Sequence, residues 1–129
     1  MGITKKYFYS EDQIFAAKLF KALGHPARIT IVEILLSQKD VNCSDLQKTI
    51  KLSKSTISQH IKELHEVGIL GLEVRGNCAY YVVDKRVLQS AVNYIEQLLE
   101  KAPHSERTQL KVYFSSKWGH FLNTNINNS

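Results

Sequence analysis

Thiols, unbroken apolar runs and, over one internal stretch, acidic residues are all scarce in this sequence of 129 residues. Cys43 and Cys78 are the two cysteines and form no C-x-x-C pair, which excludes a disulfide-built scaffold and leaves both thiols free in a reducing compartment. The longest apolar stretches, residues 14–20 and 29–36, are broken by Lys18 and Glu33. Neither approaches the ~20 residues that a membrane-spanning helix needs, so no membrane partner is expected. Lys5 and Lys6 are followed by aromatic and acidic residues, where an export signal has an apolar core and a small-residue cleavage site. The expected location is therefore the cytoplasm. No internal repeat or low-complexity domain is present.

What remains has the composition of one small folded domain. Lys and Arg (17) exceed Asp and Glu (12), and 43% apolar with 22% charged residues is ordinary for a chain that closes one core. That domain is expected over residues 1–122, with a polar, Asn-rich tail over 123–129 expected to fray. A net charge of +5 suits a polyanionic partner only if the cations gather on one element able to reach it.

Periodicity supplies the elements. Ser10 with Gln13 forms a capping box, and Glu11 and Asp12 suit the positive end of a helix dipole. The helix that follows, to Gly24, is apolar at every position from 14 to 23 except Lys18 and Lys21. That pattern is too wide for a single core-facing stripe, so one face is expected in the core and the other against a second subunit. Pro26 suits the first turn of a second helix over residues 26–38, expected to be mostly core through Ile29, Val32, Ile34, Leu35 and Leu36. A short third helix is expected at about residues 44–50, with Leu46 and Ile50 on one face. Ser53 then caps a fourth at about 54–67, in which Ile57, Ile61 and Leu64 form one buried stripe. After Gly68 the period changes to two: Leu70, Leu72 and Val74 alternate with Gly71, Glu73 and Arg75. Gly76-Asn77 then fits a type II′ hairpin turn before the Tyr- and Val-rich residues 78–83. A last helix is expected over residues 85–101. The expected fold class is mainly α: a winged helix-turn-helix with a two-stranded hairpin wing and flanking helices, the first of them expected to serve dimerisation.

With Ile57 as the buried reference and 100° per residue, Ser55, Gln59 and Lys62 point outward, flanked by Thr56 and Ser58. No acid occurs from residue 51 to 62, whereas Lys51, Lys54 and Lys62 frame Ser53, Ser55, Thr56, Ser58, Gln59 and His60. Such a surface suits a major groove, where hydroxyls and amides meet base edges, Lys meets phosphate and carboxylates are repelled. On an isolated helix the same residues would be an ordinary solvated face. The short preceding helix, the tight turn and the following hairpin favour nucleic-acid binding instead.

The runs Ala22-Leu23-Gly24-His25-Pro26-Ala27-Arg28-Ile29, Leu52-Ser53-Lys54-Ser55-Thr56-Ile57-Ser58-Gln59-His60-Ile61-Lys62-Glu63-Leu64 and Val67-Gly68-Ile69-Leu70 resemble the ArsR family of bacterial winged-helix repressors. The resemblance extends over residues 15–99. It implies a homodimer built from the first and last core helices, bound to a palindromic double-stranded DNA operator and blocking transcription until a signal releases it. Ile14, Phe15 and Leu19 of the first helix and Leu88, Val92, Ile95 and Leu99 of the last are the expected interface. The resemblance places Ser53, Lys54, Ser55, Thr56, Ser58, Gln59 and His60 on the DNA-reading helix, and Arg75 and Asn77 on a weakly basic wing. Arg28 matches the family's arginine after the proline, where a phosphate contact and a structural ion pair both stay open.

The family's metal and arsenic sensors carry a Cys-x-Cys pair at the start of the third helix. Aligned on Asp45 and Leu46, those positions hold Asn42 and Ser44, with Cys43 between them. One thiol cannot supply the three or four soft ligands such ions take, so Cys43 is read as a small residue starting a helix. The family's other site uses Asp and His on the last helix, but residues 87–99 offer Gln89, Asn93 and Glu96 and no His. No metal or cofactor is therefore expected, and His104 and His120 carry no ligand pattern. Cys43 and Cys78 are expected far apart in the fold, which makes a redox pair between them a weak reading. His60 and His65, five residues apart, diverge by about 140° on a helix and cannot share a zinc ion. No carboxylate is placed to orient an imidazole against a serine, so no enzymatic activity is expected. The competing reading is a winged-helix protein-protein interaction module that touches no DNA.

Overall fold

Short polar side chains satisfy the orphan backbone amides that open the helices of this chain, and so set where they begin. In the computed structural model, which describes residues 8–102, Ser10 and Gln13 exchange the two bonds of a capping box (3.1 and 2.9 Å) ahead of α1 (Glu11–Leu23). His25 caps α2 (Pro26–Ser37), its Nδ1 accepting the Ala27 N–H at 3.0 Å. Asn42 and Asp45 form a second box, both bonds 3.0 Å, that opens α3 (Cys43–Thr49) one residue earlier than the apolar spacing predicts. Asp stands there for the usual Glu or Gln, so the common capping pattern does not register it. Ser53 caps α4 (Lys54–Glu66). The Asp84 carboxylate accepts the Arg86 N–H at 2.9 Å ahead of α5 (Lys85–Glu100). Residues 104–122 and 123–129, with His104 and His120, lie outside the described residues.

Gly68, at φ +82°, turns the chain out of α4, and the Ile69 N–H reaches back to the Leu64 carbonyl at 3.1 Å. Strands β1 (Leu70–Arg75) and β2 (Cys78–Val83) then pair antiparallel, from Leu70 opposite Val83 to Arg75 opposite Cys78. The two-residue connection has Gly76 at φ +62° and Asn77 outside the positive region, the φ pattern of the expected type II′ turn. The chain divides into two compact units, Met1–Glu96 and Gln97–Ser129, with the final turn of α5 in the second. No described helix is long and apolar enough to cross a membrane.

The core of the first unit takes Leu19 from α1, Ile31 from α2, Leu46 from α3, Ile57 and Leu64 from α4, and Ile69 just before β1, all fully buried. Ala91 of α5 joins them, and the Phe20 and Tyr94 rings meet across α1 and α5 with centroids 6.4 Å apart. Two expectations are corrected by this packing. Leu19, assigned to a subunit interface, is 1% exposed and is covered by its own chain, because it shares the inner face of α1 with Ala16 and Ala22. Ile29 and Leu36, expected in the core, are 45% and 47% exposed. Seven residues apart, they fall within about 20° of one another on a stripe of α2 roughly opposite Ile31.

Leu46 is the buried anchor of the short α3, and its truncation would leave a cavity where α3 meets α4. Leu46→Ala is expected to lower unfolding stability by about 2–5 kcal/mol, and Asn42→Ala, which removes only a cap, by about 1 kcal/mol. Urea denaturation monitored by circular dichroism checks both, with the larger loss required at Leu46.

Candidate nucleic-acid interface

The orientation of α4 follows from its buried stripe. Ile57, Ile61 and Leu64 enter the core, which leaves Lys54, Ser55, Thr56, Ser58, Gln59 and Lys62 exposed, as the spacing predicts. The hydroxyls at the amino end are already engaged with one another. Ser53 Oγ lies 2.8 Å from Thr56 Oγ1 and 3.2 Å from Ser55 Oγ while also accepting the Thr56 N–H at 3.3 Å. Ser53 is thus held by capping, and the side chains that project without such a tie are Lys54, Ser58, Gln59 and Lys62.

His60 behaves differently from its neighbours. Half-buried, it turns toward the start of α2, where its ring meets that of His25 with centroids 4.5 Å apart. Burial, and then the nearby His25 and Arg28, hold its pKa below the usual imidazole value against the smaller opposing pull of Glu63. His60 therefore joins α4 to the turn between α1 and α2 and is not part of the outward face. Arg28 stands in the same corner, partly buried, with Nε enclosed and without a hydrogen-bond partner. It makes no ion pair among the described residues, so of its two readings the structural pair finds no partner here.

On the hairpin, Asn77 is exposed at the turn, but the Arg75 guanidinium is occupied. It pairs with Asp40 from the segment between α2 and α3, lies 3.5 Å from Glu73 and sits 4.4 Å above the Tyr80 ring. Cys43 is the first residue of α3 and packs against the core, whereas Cys78 is exposed at the end of the hairpin; both are free thiols. Among the described residues, no group of three or more His, Cys, Asp or Glu side chains is placed to hold a metal ion.

Two participants escape a reading of the sequence. His25 precedes a proline at a helix start, a placement that flags a cap but not a ring facing α4. Asp40 lies 35 positions from Arg75, beyond any local pattern.

Comparison with known proteins places this geometry. The family model described as "Bacterial regulatory protein, arsR family" matches residues 25–70, the segment from the His25 cap to the first residue of β1. A cadmium resistance transcriptional regulatory protein CadC homolog of Staphylococcus aureus is 30% identical over 99 residues, 77% of this chain and 76% of that protein. The transcriptional repressor SdpR of Bacillus subtilis is 29% identical over 83 residues, 64% of this chain and 91% of that one. Among solved structures, the homodimeric winged helix-turn-helix DNA-binding domain of Mb0332 from Mycobacterium bovis superposes with a TM-score of 0.57 at 17% identity, covering 81% of this chain and 94% of the other.

The His60 environment has a consequence for pH. A folded-state pKa below the unfolded value of about 6.5 means that the unfolded chain binds the proton more readily. The associated stability is present above that pH and is lost as pH falls through the lowered folded value. His60→Gln is expected to flatten this part of the stability-pH curve, measured by thermal unfolding between about pH 5 and pH 8. An unchanged slope would remove His60 as its source.

Proposed function

The chain belongs to the ArsR family of bacterial regulatory proteins, and from that premise we propose that it is a homodimeric, sequence-specific DNA-binding repressor whose α4 reads a palindromic operator. The observation that carries the reading is the exposed, acid-free outer face of α4 between Lys54 and Lys62, set on a helix whose other side is locked into the core. Gln59 and Thr56 are the base-reading side chains, with Ser55 and Ser58 beside them. Lys54 and Lys62 meet phosphate, and Arg28 and His60 support the same edge of the helix. The wing adds Asn77 and Arg75. Relatives of this chain are named as regulators of transcription, not as enzymes.

Dimerisation uses apolar surface that the chain leaves open. Within the first unit, Phe15 of α1 is exposed, as are Val92 and Ile95 of α5, with Ile14 and Leu88 partly so. A second copy covering these residues would bury apolar area that water otherwise hydrates. Two-fold symmetry would then set the two α4 helices about one turn of duplex apart, which is why the operator is expected to be a palindrome.

Selection of bound sequences from a random DNA pool tests the reading, with a palindrome as the expected product. Affinity for the selected duplex should fall steeply between about 50 and about 200 mM salt, whereas association through apolar helices alone would not. Gln59→Ala and Thr56→Ala should relax base preference by about 1–3 kcal/mol, while Lys54→Gln and Lys62→Gln weaken all sequences evenly. Equal losses from both kinds of variant would defeat the division of roles. Val92 and Ile95 are 47% and 46% exposed, so their replacement by Asp should leave helix content intact. The same change should convert a dimer to a monomer in analytical ultracentrifugation, and an unaltered mass would exclude α5 from the interface.

A further inference from the structure

The hairpin carries a single basic residue, Arg75, between Leu70 and Val83. Any charge attraction of the wing for a phosphate must come from that guanidinium, yet it stands between two carboxylates. Asp40 holds it in an ion pair, Glu73 lies 3.5 Å away, and the Tyr80 ring supports its flat face at 4.4 Å. Within this cluster one guanidinium faces two carboxylates, so its charge is already balanced before a polyanion approaches.

Asp40 is not a loosely tethered partner. It adopts φ +58°, a left-handed conformation that Asp and Asn tolerate better than other side-chain-bearing residues. The next residue, Val41, is buried in the core, and its carbonyl accepts the Tyr81 N–H of β2 at 3.0 Å. Both ends of the ion pair are therefore fixed to the same hairpin, one through β1 and the other through the bond to β2. The pair itself is exposed to water, so it is readily exchanged for another anion. An open cleft of about 490 Å³ beside it, lined by Leu36, Lys39, Asp40, Arg75 and Tyr80, gives the arginine room to leave.

We infer that Asp40 sets the DNA affinity of the wing by competing with a backbone phosphate for Arg75, holding the cation in reserve until a duplex supplies a replacement anion. The inference rests on the DNA-binding reading above and adds to it a residue outside both the reading helix and the wing. Asp40 acts through Arg75 and is a positioning residue, with no contact of its own to the duplex.

The test compares wild type, Asp40→Asn, Arg75→Gln and the double variant on the selected duplex, by fluorescence anisotropy across a salt series. Asn keeps the tolerance for the left-handed backbone and removes only the charge, so the fold is retained. Asp40→Asn is expected to bind about two- to fivefold tighter per protomer, with the logarithmic salt dependence steeper by about one per protomer. In the Arg75→Gln background this gain should shrink to the small general effect of one fewer negative charge. Unchanged or weaker binding by Asp40→Asn, or an equal gain in both backgrounds, would overturn the inference while leaving the DNA-binding reading in place. Failure of wild type and Asp40→Asn alike to bind any duplex at low salt would overturn both.

Discussion

Burial of Ile57, Ile61 and Leu64 is the constraint on which the rest of the site depends. These three side chains fix the rotation of α4 about its own axis, and a helix has no other means of choosing which residues face outward. Because the stripe is narrow, the opposite face is free to be polar at every position. Because its amino end is capped by Ser53, the first turn starts at a defined residue. A change in rotation of one residue position, about 100°, would replace Gln59 on the outer face by a neighbour and carry an apolar residue into water. The packing that stabilises the domain and the geometry that presents the polar face of α4 are thus one arrangement.

The charges are distributed unevenly over that scaffold. Along α4, lysines stand at the amino end and beside the outer face, while Glu63 and Glu66 come only in the final turn. On the hairpin the positive excess disappears, since Arg75 is matched by Glu73 and paired with Asp40 from the neighbouring segment. The corner formed by His25, Arg28 and His60 lies between these extremes. It gathers nitrogen-bearing side chains around the start of α2, where burial first, and then the nearby His25 and Arg28, lowers the affinity of His60 for a proton. The helix, more than the hairpin, carries the positive field that a duplex would meet first.

Much of this was legible in the sequence because it is written in short periods. The 3.6-residue spacing of Ile57, Ile61 and Leu64 marks the helix and its inner face, and the Gly76-Asn77 pair between alternating residues marks the hairpin and its turn. The illegible features are those that periodicity does not encode. Leu19 and Phe15 are equally apolar and sit on one helix, yet one lies in the core and the other in water, a distinction made by α2 and α4 and not by α1. In α2, apolar residues occur on nearly every side, so the pattern could not tell Ile31 from Ile29. The meeting of His25 with His60 and of Asp40 with Arg75 joins segments distant along the chain and becomes visible only once the core has brought them together.

The Tyr81 N–H donates to the Val41 carbonyl, a single backbone bond that holds the segment before α3 against the outer edge of β2. It partly covers one rim of a two-stranded ribbon. The other rim belongs to β1, which is six residues long and places charged side chains at Glu73 and Arg75 near its end. Short, charged rims are poor templates for the strands of a neighbouring molecule. The shortness of that rim and its charges work against such pairing, and they offset the apolar Leu72 and Val74 that lie exposed on the same strand.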